Sequence, residues 1–254
     1  DITYSFYKVW ADLYRISYET PALDENMAIR PLDYKGENGG IIFPNPNAPT
    51  GVYMPLDQVE EIVKANQDVI VIVDEAYIDF AGPSARELLS GYDNLLVVQT
   101  FSKSRSMAGV RIGFALGSPV LIKALNDVKY SYNSYTMNLP SQLAGTQAVK
   151  DRAYFEETRA KIMDTRERAK KRFAELGFTF PDSMTNFILV THERVPARAI
   201  FDALKKERIY VRYFNAPRLD NSLRVSIGTD EEMDALFRFL EQYLKEWKPA
   251  GDSE

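Results

Sequence analysis

The sequence predicts an α/β protein: a mostly parallel sheet flanked by helices over residues 1–150, followed by a smaller C-terminal α+β domain over 151–254. Three observations carry that reading. Short apolar runs bounded by turn residues alternate with longer stretches of helical period, as in sheets covered by helices. After a long polar helical stretch the pattern changes to strands arranged around a single helix. A chain of 254 residues holds one large domain or two modest ones at roughly 100–200 residues each.

The strand candidates of the first domain are "GIIF" (Gly40 to Phe43), "DVIVIVD" (Asp68 to Asp74), "NLLVVQT" (Asn94 to Thr100) and "RIGFAL" (Arg111 to Leu116). Each is short and apolar on both faces, as buried parallel strands are. Leu56, Val59, Ile62 and Val63 mark an amphipathic helix whose first turn Pro55 suits. A long helix is expected from about Ser141 to Leu176, with Gly177 as its stop and "FEETRAKIMDTRERAKKRF" as a polar, bridging middle. In the second domain "TNFILV", "IYVRYF" and "LRVSIG" read as strands around the "ARAIFDALKKE" helix. A final helix starts at a capping box formed by Thr229 and Glu232. The terminal "KPAGDSE" has the composition of a frayed tail.

Composition excludes several kinds of chemistry. With 31 Lys+Arg against 36 Asp+Glu and a net charge of −5, no cationic excess is available to neutralise a nucleic-acid backbone. No apolar run approaches the roughly 20 residues that span a bilayer. Without cysteine there are no disulfides, thiolate metal ligands or cysteine nucleophile, and His192 as the one histidine precludes a His-rich metal site. A cytoplasmic setting fits this usage.

Open α/β sheets bind ligands beyond the carboxyl ends of their strands, and the chemistry-bearing residues cluster there. "FPNPNAPTG" follows the first strand and is a tight turn from which Asn47 can present an amide to the crevice. Asp74 stands where a buried strand emerges; it suits a helix cap or an ion pair as well as a ligand. Tyr77, three residues on, brings a hydroxyl towards the same place. In "QTFSKSRSMAGVRIGFAL", Thr100, Ser102 and Lys103 leave the third strand near Asp74, and Arg111 follows after a run of small residues. A lone lysine is ordinarily a solvated charge. Here hydroxyls and a guanidinium beside an amine describe a dianion pocket next to a nucleophile. One ligand would use every group: pyridoxal phosphate offers an aldehyde to Lys103, a phosphate to Arg111, Thr100 and Ser102, a ring nitrogen to Asp74, and a phenolic oxygen to Tyr77 and Asn47.

The chain resembles the fold type I pyridoxal-phosphate enzymes, the aspartate aminotransferase superfamily. "DITYSFY", "PNAPTG", "DEAYIDF", "TFSKSRSMAGVRIGFA", "TNFILV" and "YVRYFNAPRLDNSLRVSIGT" carry the likeness over nearly the whole chain. The C-terminal pieces are most similar to the histidinol-phosphate aminotransferases within it. The resemblance implies the type I large domain with a small substrate-closing domain, and a homodimer acting on amino-acid and 2-oxo-acid substrates. It implies that Lys103 bonds the cofactor and moves a proton between substrate and cofactor, and that Asp74 keeps the pyridine nitrogen protonated. Tyr77 and Asn47 would hold the phenolic oxygen, and Thr100, Ser102 and Arg111 the phosphate. Tyr4 matches the aromatic that stacks on the ring, although a core aromatic at the start of a helix is an equal reading. Where many relatives have asparagine directly before the proline of the P-T-G turn, this chain has Ala48, with Asn47 preceding it.

Alternation in "SLRVSIG" sets Arg224 and Ser226 on the face opposite Leu223, Val225 and Ile227, and Arg212 stands similarly opposite Ile209 and Val211. Each is a solvated strand arginine by default. The resemblance makes Arg224 the receiver of the substrate's acidic end, with Arg212 sharing a phosphate. Asn186 also matches, with capping at the start of its strand as the alternative. The resulting expectation is amino-group exchange between histidinol phosphate/imidazole-acetol phosphate and glutamate/2-oxoglutarate in histidine biosynthesis. An aromatic-amino-acid transaminase, an amino-acid-phosphate decarboxylase and a non-catalytic cofactor-binding regulator are the other readings. The resemblance further implies a glycine-containing turn upstream of the stacking aromatic. Because the chain opens at Asp1 beside Tyr4, a missing N-terminal segment and an exposed apolar patch are expected.

Overall fold

The computed structural model describes residues 1–248; of the "KPAGDSE" tail, only Lys248 lies within that range. The chain divides into two compact units, Asp1–Arg159 and Ala160–Glu254.

The first unit is built on a four-stranded sheet of order β1-β2-β3-β4, comprising β1 (Ile41–Pro44), β2 (Val71–Asp74), β3 (Leu95–Thr100) and β4 (Gly113–Gly117). The first three strands run parallel, with Ile41 opposite Val71 and Val71 opposite Leu95. β4 runs antiparallel to β3, Thr100 facing Gly113, which corrects the expectation of a fourth buried parallel strand. The reason is the connection: only a short 3-10 turn, Ala108–Val110, lies between β3 and β4, whereas a parallel return needs a crossover element. At the sheet edge, Gly113 and Phe114 are exposed.

Helix α1 spans Phe6–Tyr14 and α2 spans Leu56–Ala65. α2 drives Val59, Ile62 and Val63 into a core shared with Ile41, Phe43, Val71, Val73, Leu95 and Val97. Pro55 precedes α2 as its N-cap rather than sitting in its first turn. α3 covers Pro119–Tyr132. The long helix expected from Ser141 is two, α4 (Leu139–Lys150) and α5 (Arg152–Glu175), separated at Asp151, whose φ of −80° and ψ of 68° leave the helical region. The boundary between the units falls within α5. α1 and α3 contain no buried residue, and Trp10, Leu13, Tyr14, Val120 and Val128 are exposed.

The second unit carries a second four-stranded sheet, order β5-β6-β8-β7, made of β5 (Phe178–Thr179), β6 (Phe187–His192), β7 (Arg212–Tyr213) and β8 (Leu223–Ser226). Gly177, at φ +80°, ends α5 as expected. Helices α6 (Ala197–Lys206) and α7 (Asp230–Glu246) pack with Phe173 on Ile188, Val190, Leu223 and Val225. The Thr229–Glu232 capping box is present in both directions.

Candidate active site

The parallel strands deliver their ends to one place. Asp74 is the last residue of β2 and lies opposite Val98 of β3. Its Oδ1 accepts the Ala76 N–H at 3.1 Å and its Oδ2 the Tyr7 hydroxyl at 2.7 Å. Burial pushes the Asp74 carboxyl above the usual range; the Tyr7 and Ala76 hydrogen bonds and the nearby Lys103 charge pull the other way. Burial next to that carboxylate also raises the Tyr7 phenol, so it stays protonated and donates. Tyr7 was not singled out in the sequence, yet its place three residues after Tyr4 in a helical pattern was the available signal.

Lys103 Nζ lies over the Tyr77 ring, 5.2 Å from its centroid, and makes no ion pair among the described residues. The amine, the buried carboxylate and Tyr77 are therefore brought together. The loop carrying Lys103 is held by its neighbours. Ser104 is buried and hydrogen-bonds Asp79. Arg105 donates to Ala148 O at 2.7 Å and lies 4.1 Å from the centroid of Phe155. Sequence reasoning missed this anchor, because a single arginine in a loop gives no periodic signal. A cavity of about 330 Å³ adjoins the loop, with Ser104, Arg105, Met107, Tyr154 and Phe155 in its wall; neither Lys103 nor Asp74 lines it.

Thr100 Oγ1 accepts the Ser102 N–H at 3.1 Å and lies 3.0 Å from Ser102 Oγ and 3.1 Å from Ile112 O. Thr100, Ser102 and the residue after Arg111 thus share one corner. Arg111 takes a left-handed conformation, φ 56°, and spends one N–H on Ala108 O at 2.8 Å, keeping its other donors and an exposed position. Tyr4 is 44% exposed, in T-shaped contact with Tyr7 at 5.5 Å. It is not a core aromatic.

Asn47 differs from expectation. Its Nδ2 donates to Ile2 O and to Thr50 Oγ1, both at 3.0 Å, while its buried Oδ1 has no partner among the described residues. The amide therefore presents an acceptor where a phenolate oxygen would need a donor. What Asn47 does here is tie down the segment leading to Tyr4 and Tyr7.

In the second unit Arg212 stands directly opposite Arg224 across the β7–β8 ladder. Directly opposed residues share a sheet face, and this one is opposite the core-facing Leu223 and Val225. Among the described residues neither arginine makes an ion pair, and the buried Arg224 Nε has no partner. Asn186 accepts the Ile227 N–H through its backbone at 2.9 Å, holding the start of β6 against the end of β8.

The family described as "Aminotransferase class I and II" matches residues 1–240. A histidinol-phosphate aminotransferase of Brachyspira hyodysenteriae is 49% identical over 246 residues, 96% of this chain and 70% of that one. One of Lactococcus lactis subsp. cremoris is 47% identical over 245 residues, 96% and 69%. Among solved structures, the histidinol-phosphate aminotransferase of Clostridium acetobutylicum superposes with TM-score 0.90 at 25% identity, covering 96% of this chain and 76% of that chain. That of Sinorhizobium meliloti, solved with pyridoxal-5'-phosphate, gives 0.74 at 29%, covering 82% and 57%. The chain belongs to the class I and II aminotransferases, on their histidinol-phosphate aminotransferase branch.

Proposed function

We propose that the protein is a pyridoxal-phosphate-dependent transaminase exchanging an amino group between L-histidinol phosphate and 2-oxoglutarate in histidine biosynthesis, through two half-reactions on one site. The observation that carries the reading is the meeting of Lys103, an amine without an ion-pair partner among the described residues, with a buried carboxylate, Asp74, at the ends of adjacent strands. The donor set fits the cofactor: an amine for its aldehyde, a buried acid for its ring nitrogen, and the Thr100, Ser102 and Arg111 corner for its phosphate. When bound, pyridoxal phosphate supplies a sink for the electrons of the substrate Cα–H bond.

The protein's own groups do the rest. Lys103 Nζ takes the Cα proton and holds it for return. Asp74, whose carboxyl burial raises and whose anion Tyr7 and Ala76 favour, holds a proton on the ring nitrogen. Tyr77 lies beside Lys103 and is the donor to the phenolic oxygen. Asn47 serves as an anchor for the Tyr4 segment, with Tyr4 as the stacking aromatic. Arg212 and Arg224 take the acidic end of the substrate, since like charges directly opposed on a ladder are destabilising until an anion lies between them. Asn186 supports that face. We further propose a cytoplasmic homodimer, as the family resemblance implies; no helix among the described residues is long and apolar enough to cross a membrane.

The test compares amino donors in the cofactor-loaded protein: glutamate against L-histidinol phosphate, phenylalanine and aspartate. The highest kcat/KM for histidinol phosphate, paired with 2-oxoglutarate, is expected. A preference for phenylalanine, or carbon dioxide release from any donor, overturns the reading. Lys103→Ala should abolish both turnover and the visible absorbance of the lysine–cofactor adduct; wild-type activity in that variant removes the catalytic assignment.

A further inference from the structure

We infer that Phe214 is a positioning residue for the substrate's anionic end, holding the guanidinium groups of Arg212 and Arg224 without consuming their hydrogen-bond donors. The inference rests on the proposed role of the two arginines. It starts from the β7–β8 ladder, where Arg212 and Arg224 are paired and their Cβ atoms stand about 4.5–5.5 Å apart. Two guanidinium groups so placed repel, and elsewhere in this protein such a charge is met by an acid: Arg198 is paired with Asp202 and Arg30 with Asp33. Neither Arg212 nor Arg224 has such a partner among the described residues.

Aromatic rings take the place of the acids. Phe214 follows β7 two residues after Arg212, and so shares its face in an extended chain. The Arg212 guanidinium carbon lies over the Phe214 ring at 5.5 Å from the centroid, and that of Arg224 lies over the same ring at 5.8 Å. Arg224 also lies over Phe187 at 5.0 Å. Phe187 is on the same face, because it pairs with Ser226 across the β6–β8 ladder. It is 2% exposed, yet outside the core formed by Ile188, Val190, Leu223 and Val225.

A ring face attracts a cation through its quadrupole and fixes the plane of a guanidinium. A carboxylate would do so by occupying two N–H donors and cancelling the charge. The rings therefore orient both arginines while leaving charge and donors available to a phosphate or carboxylate. Phe214 is shared by both cations; of the two, it is Arg224 that Phe187 meets.

The experiment measures Phe214→Leu, Phe214→Ala and Phe214→Tyr in the cofactor-loaded protein, alongside Arg212→Ala and Arg224→Ala. The readouts are KM and kcat for L-histidinol phosphate, and the dissociation constant for inorganic phosphate by calorimetry. Phe214→Leu keeps apolar bulk but loses the ring face, and should raise KM and the phosphate dissociation constant about three- to tenfold with kcat within about twofold. Phe214→Ala should do so more strongly, and Phe214→Tyr should restore wild-type values. If the arginine variants raise KM but Phe214→Leu behaves as wild type, the Phe214 inference is overturned and the substrate reading stands. If Phe214→Leu lowers kcat and cofactor affinity together, the residue is merely structural and the inference is likewise overturned. An unchanged KM in both arginine variants sinks the substrate reading and this inference with it.

Discussion

Tyr7 and Asp74 show one hydrogen bond working against burial at a buried carboxyl. Burial favours the neutral acid, while the Tyr7 hydroxyl at 2.7 Å favours the carboxylate. Removing the hydroxyl leaves desolvation less opposed, so the Asp74 pKa must rise further. Tyr7→Phe should accordingly lower kcat/KM by about ten- to a hundredfold, the range for losing a hydrogen bond to a charged group, and move the acidic limb of the pH–rate profile to higher pH. A profile that falls in amplitude without moving would mean that Tyr7 does not act through Asp74. Its neighbour Glu75 is 1% exposed and accepts from Ser84 Oγ, the Ala85 N–H and Gln99 Nε2 at 2.5, 2.6 and 2.7 Å. Burial outweighs these bonds and raises its pKa. A carboxyl raised on folding contributes stability that is present below its ordinary value, about 4.3, and lost as pH rises through the folded value. Glu75→Gln should therefore show a smaller loss of Tm between pH 4 and pH 8 than the wild type, and equal losses would refute the assignment. Asp74 and Lys103 stood out in the sequence because one closes an apolar strand and the other follows one. The sequence left the direction of the Asn47 amide open, since nothing in a Pro/Asn turn says whether an amide faces the crevice or its own chain.

Helix and strand types were legible wherever period and punctuation agreed. The Thr229–Glu232 capping box is visible four letters at a time and forms as written, Thr229 N–H to Glu232 Oε2 at 2.8 Å and Glu232 N–H to Thr229 Oγ1 at 3.3 Å. Thr229→Ala should cost about 1 kcal/mol of stability in urea unfolding. A cost below a few tenths would mean that packing of Met233, Leu236 and Leu240, not the cap, fixes the start of α7. The direction of β4 was not legible, because an apolar run reads alike in either sense and the lack of a crossover helix between the strands decides. The break between α4 and α5 escaped notice for a related reason. Asp151 carries no helix-breaking residue type, and its side chain instead accepts the Tyr154 N–H at 3.2 Å, starting a new helix where the pattern suggested continuation.

At the scale of the molecule, each unit has a core of its own: residues 41–97 supply that of the first unit and residues 169–244 that of the second. The polypeptide 152–254, which takes α5 whole, should therefore unfold cooperatively by itself. Its dependence on pH should be opposite in sign to the contribution of Glu75. The relevant group is His192, buried at the end of β6. Its Nδ1 accepts the N–H groups of Arg194 and Val195 at 3.2 and 3.0 Å, and its Nε2 lies 3.1 Å from Leu176 O. An Nδ1 that accepts carries no proton, so the ring is neutral with its hydrogen on Nε2. Burial is the main cause lowering its pKa, helped by Arg194 and opposed by the Leu176 hydrogen bond and Glu193. A histidine lowered on folding contributes stability that is full above its ordinary value, about 6.5, and lost as pH falls through the folded value. Glu167 and Asp230, both lowered as well, add to the loss only below the carboxylate range. Thermal melts of the 152–254 polypeptide should thus show a Tm that is level from pH 8 to about pH 6.5 and declines below it. In His192→Gln the decline should begin only near the carboxylate range, at about pH 4. A wild-type Tm that stays level down to pH 4.5, or a variant whose decline still begins near 6.5, would show that His192 is not the group that titrates.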